Sequence, residues 1–338
     1  MSRIAAARVV PYDLPLTRRW RTSGGESASR RGWLVVLATQ DGDKGVGDYV
    51  LPPPQESPAD EAAMLSGIAG RLVGRDAAQA LADFAVTRPA SWAVECALLD
   101  LVSRSRGVPL CQWLDAGAAA SIAVNAVAEM DGVAAAIAAG YPVTKMKVGR
   151  SAPEEEAAML HRLALPDGLS LRLDANRAWT WSQASGFLDA VADLPIDSLE
   201  EPLRDPSLDS LARLQAGTSI ALAIDESLPL FGAEEILARV PVRRLVLKAA
   251  TGGGLRAGYR LAVRARAAGM TCVVTSALDS AVGVAASAHL AAAAGSPGLA
   301  HGLSTAEWLA EDVAKPLPVE RGRMTLASCL GLGVMPGV

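Results

Sequence analysis

The chain has 338 residues, 51% of them hydrophobic and 20% charged, with a formal net charge of −4. That is enough apolar material for one large α/β barrel, alone or with a smaller domain. The near-neutral, unclustered charge argues against nucleic acid or an anionic membrane as partner, and four scattered cysteines without a CxxC spacing indicate neither a zinc site nor a disulfide framework.

The N-terminus lacks the apolar segment of a signal peptide, and the Ala-rich run at 281–294 is interrupted by His289 and too weakly apolar to span a bilayer. A soluble, cytoplasmic protein is expected. Residues 4–14, 32–39 and 45–49 read as strands, the last two joined by the turn Gln40-Asp41-Gly42-Asp43. Residues 22–27 are polar and Gly-rich and predict a mobile loop, the start of a candidate lid reaching to Arg30. A Pro-rich link at 52–54 and a Ser57 N-cap, with Pro58 at the first helical position, precede helices at 60–73, 77–84 and 91–105. Together these make a small α+β unit over residues 1–118.

From about Ser121 strand and helix alternate. Strands are expected near Ile122, Val143, Leu169, Ser198, Ile220, Arg244, Thr271 and Leu299, with helices at 133–139, 153–163, 182–194, 207–214, 233–240, 255–268 and 282–293. This pattern predicts a (β/α)₈ barrel over residues 119–314, whose active site lies at the C-terminal strand ends. Its last helix has no clear place in the sequence. The tail, 315–338, is expected to leave the barrel and pack on the N-terminal unit.

Polar groups stand at those strand ends. Lys147, Asp174, Glu200, Asp225, Lys248 and Thr275 are separated by 27, 26, 25, 23 and 27 positions, about one βα unit each. Neighbouring strands lie roughly 4.8 Å apart, so Asp174, Glu200 and Asp225 can converge on one point. Three oxygen donors with no His or Cys suit a hard cation, Mg²⁺ before Mn²⁺ or Ca²⁺. Lys147 and Lys248, from strands facing each other across the mouth, would flank a ligand held there. Lys145 and Lys147 share one face of their strand, and two ammonium groups so close would lower a lysine pKa and make one of them a usable base. Taken singly, a KxK pair is commonly a solvated strand face, Glu-Glu-Pro an exposed turn and Lys248 a strand-end cation; their joint occurrence at barrel spacing points to a site. A base beside a carboxylate-bound cation suits removal of the proton next to a substrate carboxylate.

These residues carry a resemblance to the enolase superfamily, in its muconate lactonizing enzyme branch. Lys145-Met146-Lys147-Val148-Gly149, the segment LRLDANRAWT from Leu171 to Thr180, Leu199-Glu200-Glu201-Pro202 and Asp225-Glu226-Ser227-Leu228 look most like the o-succinylbenzoate synthases. The resemblance implies a modified (β/α)₈ TIM-type barrel with an N-terminal α+β capping domain. It implies a Mg²⁺-dependent lyase that dehydrates the small carboxylate SHCHC (2-succinyl-6-hydroxy-2,4-cyclohexadiene-1-carboxylate) to o-succinylbenzoate in menaquinone biosynthesis. In that scheme Lys147 removes the α-proton and protonates the departing hydroxyl, Asp174, Glu200 and Asp225 hold the metal, and Lys248 stabilises the enediolate. Arg172, Thr275 and Ser276 match substrate-contacting positions, and Asn176 and Glu226 are second-sphere partners that orient the ligands.

Two departures bear on specificity: Asp279 stands where related synthases tend to have Glu, and Ala249 where Pro often follows the lysine. The nearest rival is an isomerase, an N-acylamino acid racemase or dipeptide epimerase using the same two lysines. Dipeptide epimerases tend to carry Asp-x-Asp near the eighth strand, where this chain reads His301-Gly302-Leu303-Ser304-Thr305. Acid-sugar dehydratases need a late His base, and His161, His289 and His301 do not suit that role; His301 reads as a packing or rim residue. A non-catalytic barrel is disfavoured because both lysines and all three carboxylates are present. The Gly run at 252–254 lacks the Gly-Lys-Ser/Thr of a phosphate loop.

Overall fold

The computed structural model describes residues 3–22, 25–52, 58–326 and 328–338. The N-terminal unit is an antiparallel sheet in the order β1 (Ile4–Thr22), β2 (Gly25–Thr39), β3 (Lys44–Val50). Four helices follow: α1 (Pro58–Gly70), α2 (Ala77–Asp83), α3 (Trp92–Ser105) and α4 (Leu110–Leu114). Helix α3 is buried over most of its length and lies directly on β3. Gly47 permits that approach, since a Cβ there would sit 1.9 Å from the Ala93 carbonyl oxygen. The Pro53–Ser57 part of the expected link and cap lies outside the described residues.

Strands β1 and β2 extend well beyond the sequence expectation, and this corrects the loop predicted at 22–27. They pair as far as Thr22 with Gly25, so the polar segment is the end of a long hairpin; residues 23–24 fall outside the described set. The register slips between Pro15–Ser29 and Trp20–Ser27, so residues 16–19 bulge out opposite residue 28. The bulge has a tertiary cause. Leu16 bridges Leu309, Thr17 Oγ1 donates to the Glu307 carbonyl at 3.1 Å, and the Ala310 amide donates to the Pro15 carbonyl at 2.8 Å. The hairpin is therefore laid across one end of the barrel.

The barrel begins with β4 (Ser121–Val124) and β5 (Ala126–Val127), and continues through α5 (Val133–Ala138), β6 (Val143–Lys147), α6 (Pro153–Leu160), β7 (Ser170–Asp174) and α7 (Trp181–Ala190). Next come β8 (Ile196–Glu200), α8 (Leu208–Ala216), β9 (Ala221–Ile224), α9 (Leu228–Phe231), α10 (Ala233–Arg239) and β10 (Arg244–Leu247). The last units are α11 (Leu255–Ala267), β11 (Thr271–Val274), α12 (Ala281–Ala294) and β12 (Ala300–His301). Strands β5 to β11 pair in sequence order, and β12 pairs in parallel with β4. A bridge from Thr275 to Gly302 joins β11 to the β12 end and closes the ring. Sequence capping explains several helix starts: Thr180 and Gln183 form a reciprocal box at α7, and Pro153 opens α6 ahead of three glutamates.

Among the described residues the helical segment after β12 is a single 3₁₀ turn, Ala306–Trp308, which explains why the sequence offers no eighth helix. The tail adds β13 (Val319–Glu320) and β14 (Arg323–Thr325), with β14 antiparallel to β4, and then reaches α3, where the Leu332 amide bonds to Asp100. Among the described residues no helix is long and apolar enough to cross a membrane. The Ala-rich α12 is instead packed among α4, α11, β3 and β11.

Candidate active site

Parallel pairing places Lys147 beside Asp174 and Asp174 beside Glu200, each at the C-terminal end of its strand. Asp225 and Lys248 follow β9 and β10, and Thr275 and Ser276 follow β11. Lys147, Asp174, Asp225, Lys248, Thr275 and Ser276 line one cavity of about 420 Å³ together with Lys145. Glu200 lies beneath it, 1% exposed.

The local backbone explains why these side chains converge. Gly149 takes φ 81°, and a Cβ there would meet that of Ala178 at 2.5 Å, so the loop after Lys147 can pass close to the loop after Asp174 only as glycine. The Glu156 carboxylate accepts the amides of Gly149, Arg150 and Ser151 at 2.7–3.1 Å and fixes that loop. Asn176, Arg177, Glu201 and Leu278 are non-glycine residues with φ between 44° and 61°, all just beyond strand ends at the mouth. Such conformations cost about 1–3 kcal/mol each and concentrate at functional sites. Asn176 links both sides: its Oδ1 accepts Lys147 Nζ at 2.7 Å, and its Nδ2 donates to Glu226 Oε1 at 3.2 Å.

The electrostatics are dominated by crowded carboxylates. Lys145 Nζ lies 2.9 Å from Asp174 Oδ2 and 2.7 Å from Glu200 Oε2, and Lys248 Nζ is paired with Asp225 Oδ2. Burial, then the charges of Asp174 and Asp225, push Glu200 up to about 8 despite Lys145. Burial alone would lower Lys145, but Glu200 and Asp174 outweigh it and its pKa is raised. This corrects the expectation of two ammonium groups weakening each other: Lys145 turns to the carboxylates and is held charged by them. Asp174 is lowered, its burial outweighed by Lys145.

Glu200 Oε1 is buried with no hydrogen-bond partner, an expensive arrangement for a carboxylate oxygen. Donor oxygens of Glu200, Asp225 and Glu226 also lie within 4.8 Å of one another. An unsatisfied buried oxygen among all-oxygen donors fits a hard divalent cation. The sequence trio and this proximity group share Glu200 and Asp225. They differ because Asp174 leans on Lys145 while exposed Glu226 lies closer.

The structure does not bring Arg172 to the cavity. A residue skipped in the β7–β8 register, Asp197, turns its carboxylate to accept Arg172 Nε and Nη2 at 3.1 and 2.8 Å, and Arg172 Nη1 bonds Asn125 and the Ala300 carbonyl. Thr275 and Ser276 do line the cavity; Thr275 Oγ1 is buried without a partner, and Ser276 Oγ lies 3.0 Å from Thr305 Oγ1. His289 and His301 are buried packing residues that accept the backbone amides of Cys111 and Val274.

Sequence reasoning assigned no role to Glu201, Trp20 or Trp308. Buried Glu201 accepts the Asp225 and Ser227 amides at 2.7 and 2.8 Å and Ser227 Oγ at 2.5 Å, which sets the course of the chain through Asp225. Trp20 and Trp308 line the cavity with Val127, Met146 and Leu278. The position of Glu201 in Glu-Glu-Pro was the only available signal, and a tryptophan in a bulged hairpin offers none.

Comparison with known proteins gives the same architecture. The Enolase C-terminal domain-like family matches residues 128–336. The o-succinylbenzoate synthase of Desulfotalea psychrophila is 29% identical, covering 92% of this chain and 96% of that one. The N-succinylamino acid racemase of Thermus thermophilus is 28% identical, covering 98% and 94%. The muconate lactonizing enzyme of Pseudomonas fluorescens, solved with muconolactone, superposes with a TM-score of 0.85 at 23% identity over 99% of this chain and 97% of that one.

Proposed function

The chain belongs to the Enolase C-terminal domain-like family and is an enzyme of the enolase superfamily, and from that premise we propose that it is an o-succinylbenzoate synthase. Its substrate is then SHCHC and its product o-succinylbenzoate, the acid formed in menaquinone biosynthesis. Residues 1–118, with the 315–338 tail packed on them, would form the cap and contribute Trp20 to the cavity wall, and residues 119–314 would carry the chemistry.

Lys147, as the free amine, takes the proton from the carbon bearing the substrate carboxylate. The ammonium so formed gives that proton to the hydroxyl leaving the ring, so water departs and the ring becomes aromatic. Lys248, on the other flank, places a positive charge near the developing enediolate. Asp174, Glu200 and Asp225 would hold Mg²⁺ or Mn²⁺, which when bound would offset the charge of the enediolate by several kcal/mol. Lys145 bridges Asp174 and Glu200, Asn176 and Glu226 orient the groups around Lys147, and Thr275 and Ser276 are assigned to the substrate. Arg172 is assigned to the barrel interior instead.

The observation that supports this reading best is the joint presence of three neighbouring carboxylates, a lysine on either flank and further lining by aromatic and hydroxyl-bearing side chains. Among the described lining residues the carboxylates are Asp174, Asp225 and Glu226, and the segment His301-Gly302-Leu303-Ser304-Thr305 supplies none to hold an amine. That disfavours a dipeptide substrate. The two flanking lysines also suit racemisation of an N-acylamino acid, the second reading. Incubation with Mg²⁺ and SHCHC, beside an N-succinylamino acid control, separates them. Formation of o-succinylbenzoate that Lys147→Ala or chelation abolishes is expected; racemisation without dehydration overturns the proposal.

A further inference from the structure

Arg30 lies on β2, in the capping sheet, yet its guanidinium is spent on the barrel. It is only 3% exposed. Nε donates to the Leu278 carbonyl at 3.2 Å, and Nη2 donates to the Ala277 carbonyl at 3.1 Å. Its Cζ lies 4.6 Å from the centroid of the Trp20 ring. Trp20, Ala277 and Leu278 all line the candidate active site. One buried cation therefore touches two pieces of wall that come from opposite ends of the chain.

Both pieces need holding. Leu278 has φ 60°, a left-handed conformation that an L side chain keeps only where its surroundings over-determine it. Asp279 helps by accepting the Ala277 amide at 3.1 Å. Trp20 stands just beyond the bulge at 16–19, where the strand ladder is interrupted. A planar fork can meet two successive carbonyls while its face meets an aromatic ring; a lysine ammonium is a point charge and cannot do both. Buried Asp279 and Asp48 supply negative charge nearby, which lets the guanidinium stay charged where burial lowers its pKa.

We propose that Arg30 is a positioning residue that locks the capping hairpin to the seventh-strand loop, making Trp20 and Leu278 one rigid wall that selects the arm carried by the substrate. The proposal rests on the synthase reading only for the choice of substrate. A purely structural role would cost stability and leave the balance of KM and kcat alone. The positioning role predicts for Arg30→Met a KM for SHCHC raised about tenfold with kcat within about threefold of wild type, the signature of lost uniform binding. Arg30→Lys is expected to restore stability more than KM, because it returns charge without the fork.

A second readout needs no activity. In the Mg²⁺-loaded protein, hydrogen exchange of Arg30→Met should quicken in both 12–20 and 275–280, while β7 and β8 keep their wild-type protection. Should Arg30→Met not fold, Trp20→Leu replaces it and is expected to raise KM alone. Faster exchange in only one segment, or an unchanged KM in these variants, overturns the role of Arg30. A wild-type protein that fails to dehydrate SHCHC sinks the synthase reading instead, and the exchange measurement still decides the lock.

Discussion

Two sets of buried carboxylates divide this molecule. At the seam between cap and barrel, Glu95 accepts Arg256 Nε and the Leu255 amide, both at 2.7 Å; Asp48 accepts Tyr12 Oη at 2.6 Å and the amide and hydroxyl of Ser280. Asp100 accepts the Val46 and Leu332 amides and Arg104 Nε. In each of these three every oxygen has a partner, and two of them bond to the start of a barrel helix, α11 or α12, where a negative charge is favoured. At the mouth, Asp174, Glu200 and Asp225 crowd one another, and Glu200 Oε1 is unpaired. Asp174 and Glu200 are as buried as the seam group, so burial does not distinguish the sets. Saturation by N–H and O–H donors makes these three seam carboxylates fastenings, whereas the unpaired Glu200 oxygen leaves the mouth able to take a cation; at the seam Asp279 is the exception, with Oδ1 buried and without a partner.

That contrast should appear first in activity. Lys147→Ala is expected to lower kcat by about 10²–10⁴, the usual worth of a positioned base, while thermal unfolding stays near wild type. Next comes the seam. Glu95→Ala leaves Arg256 and the first amides of α11 without their acceptor and should cost about 3 kcal/mol in chemical denaturation, with kcat/KM unchanged wherever the protein is folded. A Glu95→Ala protein as stable as wild type would erase the distinction between the two sets.

Metal binding should sharpen it further. Glu200, raised to about 8 by burial and its acidic neighbours, holds a proton at lower pH that a cation must displace. Mg²⁺ affinity, measured by calorimetry, should therefore rise up to about tenfold per pH unit below pH 8 and level off above it. Glu200→Gln removes the repulsion along with the ligand. Metal-free Glu200→Gln is expected to be slightly more stable than wild type, by about 1 kcal/mol, yet to gain nothing from Mg²⁺.

The barrel and the mouth were legible because both obey a period. Apolar strands recur about every 25 residues, and each polar strand end inherits that spacing. The long hairpin was hidden because the bulge at 16–19 exists only to meet residues 307–310, a contact some 290 positions away. Arg172 was misjudged for a different reason. It shares a face with Asp174 but lies two residues earlier, roughly 6.6 Å deeper in the barrel, and the bulge at Asp197 supplies a partner at that depth. Glu201 and Arg30 act through backbone groups of distant loops, which leave no mark in the chain order.

The smallest effect tests the seam at its most delicate point. Burial, then the charge of Asp279, raises Asp48 to about 7, well above its unfolded value near 3.9. Between those values the folded protein holds a proton that the unfolded chain has released. The contribution of Asp48 to folding stability must then fall as pH rises through that window, by at most about 1.4 kcal/mol per unit, and level off above pH 7. Glu200 adds a slope of the same sign up to about pH 8, which saturating Mg²⁺ removes. Buried His289 and His301, lowered to about 4 and 3, add slopes of the opposite sign up to about pH 6.5, so only a difference between two variants isolates Asp48. Tyr12 donates to the ionised form of Asp48, and Tyr12→Phe should therefore cost about 1 kcal/mol above pH 7 and less at pH 5. Denaturation curves of both proteins in Mg²⁺ at pH 5 and pH 8 give the answer. A Tyr12→Phe deficit that is equal at the two pH values would mean that Asp48 does not titrate in this range.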